Sequence, residues 1–364
     1  MAVSIMALDR LQVTGLRNIA QADLTPSAGI NLICGANGSG KTSLLEALHL
    51  LGLARSFRAR HVKSLIHFDA ESLTVFGRIA GTPPQRIGIQ RRRDSSSVEL
   101  RLDGERVERI SRLAEQLPLQ LIDNHTFELI EGSPRARREY LDWGVFHLDH
   151  DFLTLWKRMR RALKHRNALL RYGTIDRISM AAWNQELGRT AEQMDSLRKQ
   201  YIEQLAPLFS ETLARLADLP DVTLQYTRGW ERQRPLEEVL EAGIGTDRKM
   251  GFTQQGPQRA DIRIRVGKRL AAEVLSRGQQ KVVVSALKLA QGQLLERLTE
   301  RHCLYLIDDL AAELDSRHRQ RFCELLEEQQ GQSFITAIER ADVQQGFSKE
   351  FALFELRGGR LESA

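Results

Sequence analysis

Apolar residues in the first third of the chain recur at strand spacing. Leu8, Leu11, Val13 and Leu16 stand apolar among polar neighbours, and residues 6 to 34 read as a set of strands. Ile30-Asn31-Leu32-Ile33-Cys34 is a short apolar run of the kind buried in a sheet interior, and Ser43-Leu44-Leu45-Glu46-Ala47-Leu48 opens an apolar helix reaching to about Leu53. Leu73–Ile79, Arg86–Gln90 and Val98–Leu102 read as further strands. Asp103-Gly104, between Leu102 and Glu105, is a two-residue hairpin signal. The expectation is a β-rich flap laid over the lobe that holds the first strands.

The period then changes. Leu117–Ile122 reads as a strand, and Ser133-Pro134 starts a helix, with serine at the cap and proline in the first turn. Phe152, Leu155, Met159, Ala162, Arg166 and Leu169 are spaced 3-4-3-4-3. Trp183, Leu187, Thr190, Met194, Leu197 and Tyr201 are spaced 4-3-4-3-4. Both are heptad patterns, broken at Tyr172-Gly173-Thr174, and predict two helices in an antiparallel hairpin of about three heptads each. Strand patterns return at Val222–Arg228 and Asp261–Val266, the second after a tight Gly256–Asp261 loop; from there strand and helix alternate to the end. The reading is therefore an α/β nucleotide-binding domain split into halves at 1–110 and 256–364. A helical lobe at 111–255, with its arm at about 150–217, interrupts it.

Composition narrows the class. The chain has 364 residues, 42% hydrophobic and 27% charged, which suits two globular lobes. Asp9, Arg10 and Arg17 near the start do not fit a signal peptide, and no apolar run approaches membrane-spanning length, so the expectation is a cytoplasmic protein with no membrane partner. Cys34, Cys303 and Cys323 have no paired spacing, which argues against disulfides and structural zinc. The net charge is +6, and its placement matters more than its size. The first arm helix carries Lys157, Arg158, Arg160, Arg161, Lys164, His165, Arg166 and Arg171, of which Lys157, Arg161, Lys164 and Arg171 share a face. Two readings stay open: a stripe that tracks a DNA backbone, or a solvated face paired with Glu186, Glu192 and Asp195. Arg91-Arg92-Arg93 poses the same choice, with a solvated strand end favoured.

Three segments carry chemistry. Gly35-Ala36-Asn37-Gly38-Ser39-Gly40-Lys41-Thr42, between a buried strand and a helix start, fits the G-x-x-x-x-G-K-[ST] phosphate-binding loop. Its glycines let successive N–H groups point at one anion, and the helix N-terminus adds partial positive charge there. Lys41 is expected to reach the β- and γ-phosphates and the Thr42 hydroxyl to ligate Mg²⁺. Asp308 ends the apolar run Leu304–Ile307, the pattern of a second Mg²⁺ ligand, and Asp309 follows where it can polarise a water. Leu275-Ser276-Arg277-Gly278-Gln279-Gln280-Lys281 opens a helix at Val282–Leu295 and offers a second anion site at a helix start.

Taken in order, the phosphate loop, the Ser276–Gln279 signature, the Asp308 strand end and Ala312-Glu313-Leu314-Asp315 resemble the ATP-binding cassette ATPases of the SMC type. Leu141-Asp142-Trp143 and Gly256–Asp261 narrow the resemblance to the RecF family of bacterial recombination and repair proteins, over essentially the whole chain. The fold implied is an ABC-type P-loop ATPase head of mixed sheet and helices with a β-rich flap, plus a mainly helical lobe carrying a short antiparallel hairpin. The resemblance implies that Gly35, Ala36, Asn37, Gly38, Ser39, Gly40, Lys41 and Thr42 cradle ATP, with Arg17 and Asn18 nearby. It further implies that Thr42 and Asp308 serve Mg²⁺, that Lys41, Asp308 and Asp309 act in hydrolysis, and that Ser276, Gly278 and Gln279 reach the γ-phosphate held by a second subunit, with Asp315 at the same boundary. Three features depart from the superfamily pattern: Arg277 replaces a glycine, Asp309 replaces a glutamate, and no switch histidine follows Thr336-Ala337-Ile338. Gln120 is the candidate for the glutamine that usually senses nucleotide. The implied activity is slow, DNA-stimulated ATP hydrolysis. It serves an ATP-dependent homodimer that clamps DNA at single-strand gaps or junctions and helps RecO and RecR load RecA. The alternatives are an ATP-dependent scaffold with incidental hydrolysis, or an ATPase subunit of another assembly.

Overall fold

The computed structural model describes residues 7–59, 64–95, 97–171 and 176–362. The Tyr172-Gly173-Thr174 break lies outside them. In chain order the strands are β1 (Leu8–Leu16), β2 (Ile19–Leu24), β3 (Ile30–Cys34), β4 (Ser72–Ile79), β5 (Gln85–Arg92), β6 (Val98–Leu102), β7 (Glu105–Val107), β8 (Leu119–Ile122), β9 (Val222–Thr227), β10 (Asp261–Val266), β11 (Arg269–Leu270), β12 (Leu304–Ile307), β13 (Ser333–Ala337), β14 (Ala352–Arg357) and β15 (Arg360–Glu362). The chain divides into two compact units, one of residues 1–126, 215–217 and 277–364, the other of residues 127–214 and 218–276.

The first unit holds two sheets. One is antiparallel in the order β2-β1-β4-β5-β6-β7, and contains the expected flap. Asp103 and Gly104 both adopt positive φ in its β6–β7 turn, where Leu102 pairs with Glu105, as the hairpin signal requires. The other runs β15-β14-β3-β13-β12-β8 and is parallel throughout except at its β15 edge. The helix Lys41–Leu53 packs against β1, β4 and β5 of one sheet and β12 and β13 of the other. That is why it is apolar on every side: Leu44, Leu45, Leu48, Leu50 and Leu51 are all fully buried. Its own polar residues need internal partners. Glu46 pairs with Arg17, and His49 Nδ1 meets the Arg55 carbonyl at 2.7 Å while burial pushes its pKa down to about 4.

Close packing at one glycine makes a stability prediction. In the helix Arg277–Thr299, a Cβ on Gly292 would fall 1.7 Å from the Tyr305 hydroxyl, which is bonded to Gln329. Gly292→Ala should cost about 1–3 kcal/mol of stability. Thermal melting followed by circular dichroism checks this; an unchanged midpoint contradicts it.

Two boundaries of the sequence reading need correction. The segment 111–126 does not belong with the helical lobe, because β8 pairs in parallel with β12, with Ile122 opposite Ile307. Residues 256–276 belong to the second unit, because β10 pairs with β9 along its whole length.

In the second unit the arm helices are Phe152–Arg171 and Arg177–Leu216. They run antiparallel, with His165 stacked on Trp183, Arg166 bonded to Asn184 and Arg158 paired with Glu186 further back. The second helix has 40 residues, far beyond three heptads, and continues past the last heptad residue, Tyr201. Three ion-paired arginines organise this unit. Arg166 is fully buried and donates to Asp247, Thr253, Asn184 and the Leu240 carbonyl. Arg198 binds Asp142 through two nitrogens and also donates to the Pro257 carbonyl. Arg137 grips Asp261 in the same bidentate way. The segments that narrowed the family resemblance are thus the two sides of one structural joint. Burial is the larger influence on Asp142 and raises its pKa, against the opposing pull of Arg198.

Candidate nucleotide site

β3, β13, β12 and β8 are neighbours and end at one edge of the parallel sheet, and ligands of such sheets bind beyond the carboxyl ends of the strands. A cleft of about 930 Å³ opens there, within the first unit. The phosphate loop leaves β3 and forms its floor. Gly40 has φ 113° at the helix cap, and a Cβ there would press on the Asn18 amide at 3.2–3.3 Å. Asn18 in turn donates to the Gly38 carbonyl at 2.9 Å and accepts from Ser43 at 3.1 Å, so it braces the loop. Lys41 Nζ lies on the loop itself, 2.6 Å from the Gly35 carbonyl and 3.1 Å from that of Ala36. Asn37, Gly38, Ser39, Gly40, Lys41 and Thr42 line the cleft directly.

Asp308 reaches the site from the end of β12. Its Oδ1 accepts from Thr42 at 3.0 Å and from Thr336 at 2.8 Å. Burial is the main cause of a raised Asp308 pKa, opposed by these hydroxyls. Asp309 also lines the cleft, held at φ 51° with its N–H on the Thr336 hydroxyl at 2.8 Å. Thr336 therefore ties both acids together from β13, where the sequence reading registered only the lack of a histidine. Arg17 lines the cleft too, but its guanidinium is bidentate to buried Glu46 and donates to the Ser64 carbonyl. Its charge shapes the wall more than it is offered to a ligand.

The cleft also holds residues to which the sequence motifs do not point, among them Arg58, Asn124, Glu313 and Phe68. Asn124 stands two residues past the end of β8, with Asp123 in the place that Asp308 takes after β12. Glu313 directly follows Ala312, is nearly buried, and is paired to Lys281 at 3.4 Å, with burial raising its pKa. Phe68 carried no spacing signal at all. Gln120 does not line the cleft: it is buried within β8, with its amide donating to Gln291 at 2.6 Å. A side chain pointing into the sheet packing is not placed to sense nucleotide.

The remaining expected residues stand elsewhere. Ser276 precedes the helix Arg277–Thr299, and Ser276, Gly278 and Gln279 are exposed and outside the cleft lining. Asp315 is also outside it and caps the helix Ser316–Glu328 through the His318 N–H at 3.0 Å. Lys157, Arg161 and Lys164 are exposed and form no ion pair among the described residues, while Arg171 donates to the Gly251 carbonyl. Glu186 does pair with the arm, at Arg158, but Glu192 and Asp195 face Arg228. Arg91 and Arg93 are not a solvated strand end: they donate to the carbonyls of Ala54, Ala70 and His67. No helix among the described residues is long and apolar enough to cross a membrane.

Thr42 and Asp308 offer only oxygen donors, and no cluster of three or more His, Cys, Asp or Glu side chains that could hold a metal exists among the described residues. That fits Mg²⁺, which takes one or two protein oxygens and completes its shell with phosphate and water.

Comparison with known proteins gives the family and the fold. The family model for the RecF/RecN/SMC N terminal domain matches residues 7–360. A "DNA replication and repair protein RecF" of Chromohalobacter salexigens is 58% identical over 98% of this chain and 99% of its own length. A protein of the same description from Stutzerimonas stutzeri is 48% identical over 98% and 97%. Among solved structures, the recombination mediator protein RecF-ATPrS in the RecFOR pathway superposes with a TM-score of 0.83 at 25% identity, covering 99% of this chain and 98% of that one. An Smc head bound to the C-winged helix domain of ScpA shares the fold with a TM-score of 0.60 at 17% identity, covering 98% and 96%. The chain is a member of the RecF family of DNA replication and repair proteins, within the RecF/RecN/SMC group of P-loop ATPases.

Proposed function

We propose that the protein is an ATP-dependent DNA-binding protein of recombinational repair, in which ATP joins two copies into a clamp. The observation that carries this reading is the meeting of Thr42 and Asp308 at 3.0 Å beside the phosphate loop, while Ser276, Gly278 and Gln279 stand exposed outside that cleft. A signature segment that does not serve its own cleft is suited to the γ-phosphate in a second copy. Loop N–H groups and Lys41 bind the phosphates, with Lys41 exchanging the Gly35 and Ala36 carbonyls for phosphate oxygen. Mg²⁺, held by Thr42 and Asp308, would neutralise charge on the β- and γ-phosphates. Asp309 is the residue nearest in role to a water-polarising acid. Because the composite site exists only in the dimer, ATP favours dimerisation by differential binding.

The exposed stripe of Lys157, Arg161 and Lys164 is the proposed DNA-tracking surface, with Arg171 at its end. RecO and RecR as partners, RecA loading at gaps or junctions and a cytoplasmic setting rest on family membership; the solved RecF neighbour is itself described as a mediator in the RecFOR pathway. A slow or incidental hydrolysis step is favoured by Thr336, a non-titrating residue at the end of β13, in the region where the group carries a histidine.

Light scattering with and without ATP and Mg²⁺ tests the clamp. Wild type should double in mass with ATP, whereas Ser276→Arg should bind ATP and stay monomeric. Wild type remaining monomeric with ATP bound would sink the clamp and leave only the nucleotide site.

A further inference from the structure

The cleft has an apolar end that the phosphate chemistry does not use. Phe68 lines it and is 82% exposed, although its ring is among the largest apolar groups of the unit. Display of such a ring to water is unfavourable, and here looseness does not explain it. The adjoining backbone is fastened to the end of β1 and beyond. Ile66 bridges Leu16, Arg17 N–H meets the Leu65 carbonyl at 2.7 Å, His67 N–H meets Gly15 at 2.9 Å, and Arg93 grips the His67 carbonyl at 2.7 Å. Leu65 and Ile66 are buried in the core, so the segment is anchored on one side and presents Phe68 on the other. The His67 ring backs the Phe68 ring, with centroids 5.0 Å apart and planes 28° from parallel.

We propose that Phe68 is the base platform of the site: the purine of the nucleoside triphosphate stacks on its open face, with His67 behind it. The cleft would then match both ends of one ligand, cationic and hydroxyl groups at Lys41 and Thr42 for the phosphates and a flat apolar ring for the base. This inference rests on the nucleotide reading and adds the recognition of the base. Phe68 is a specificity-determining residue in this scheme and takes no part in hydrolysis. Stacking uses the π-face common to all bases, so it selects a nucleotide over a bare polyphosphate rather than one purine over another.

Calorimetry on the full chain separates the two contributions, with Mg-ATP and Mg-tripolyphosphate as probes and wild type, Phe68→Ala and Phe68→Trp as proteins. Phe68→Ala should bind ATP roughly ten-fold or more weakly and tripolyphosphate as wild type does, since one stacked base is typically worth about that factor. Phe68→Trp should keep ATP affinity, and its added indole fluorescence, measured against wild type, should be quenched by ATP and not by tripolyphosphate. Unchanged ATP affinity in Phe68→Ala, or equal losses for both probes, overturns the platform while the phosphate site stands. Wild type that binds neither probe overturns the nucleotide reading and the platform with it.

Discussion

Arg166→Ala should be the most destabilising single substitution in the second unit, at about 3–5 kcal/mol, the usual cost of removing one partner from a buried ion pair. The side chain is fully buried, and Asp247, only 5% exposed at its side chain, would keep a charge with its main cationic partner gone. Asn184, Thr253 and the Leu240 carbonyl would each lose a donor as well. Burial dominates the Arg166 pKa and lowers it, with Asp247 restoring part, so the pair exists because each member neutralises the other. Chemical denaturation should show a lower midpoint, and Asp247→Asn combined with Arg166→Met should recover much of the loss, because both charges then leave together. A single variant with wild-type stability would mean the hub is not cooperative with the rest of the unit.

Asp308→Asn should abolish turnover while preserving the fold. Both hydroxyls that donate to Asp308 Oδ1, from Thr42 and Thr336, find an acceptor of the same shape on asparagine. What disappears is the negative charge that would hold Mg²⁺ against the phosphates. Hydrolysis of radiolabelled ATP in single-turnover experiments should fall by about 10²-fold or more, the scale of losing one preorganised electrostatic group, with ATP affinity changed far less. Asp309→Asn in the same assay ranks the two acids. If Asp308→Asn hydrolyses ATP like wild type, the metal assignment is wrong.

What was legible in the sequence was local. The phosphate loop, the Asp103-Gly104 hairpin and the Ser133-Pro134 helix start each depend on backbone geometry set by a few adjacent residues, and each stands where its residues imply. What was illegible depends on distant pairing. The lobe to which β8 belongs is not legible locally, because its partner β12 lies nearly two hundred residues on and a short, mostly apolar strand names no partner. Arg166 looked like one more cation on a basic helix, yet its a/d spacing put it inside the hairpin, where only tertiary partners could satisfy it. Thr336 and Phe68 gave no pattern, since one hydroxyl in an apolar strand and one phenylalanine in a loop are common. Glu313 sits within a recognised motif, and its burial and its pairing with Lys281, which no local pattern shows, distinguish it from an ordinary surface acid.

The central strand β3 has a consequence for how the molecule is made. It is emitted early, but both of its neighbours, β13 and β14, come about three hundred residues later. Gln332 likewise closes on Leu8 through two hydrogen bonds. The residues between them, including the whole of the second unit, are made first. β3, which leads into the phosphate loop, has neither of its sheet partners until residues 333–357 have been made. A chain interrupted between the end of the second unit and residue 333 lacks both strands that flank β3, and with them the sheet whose edge carries the phosphate loop.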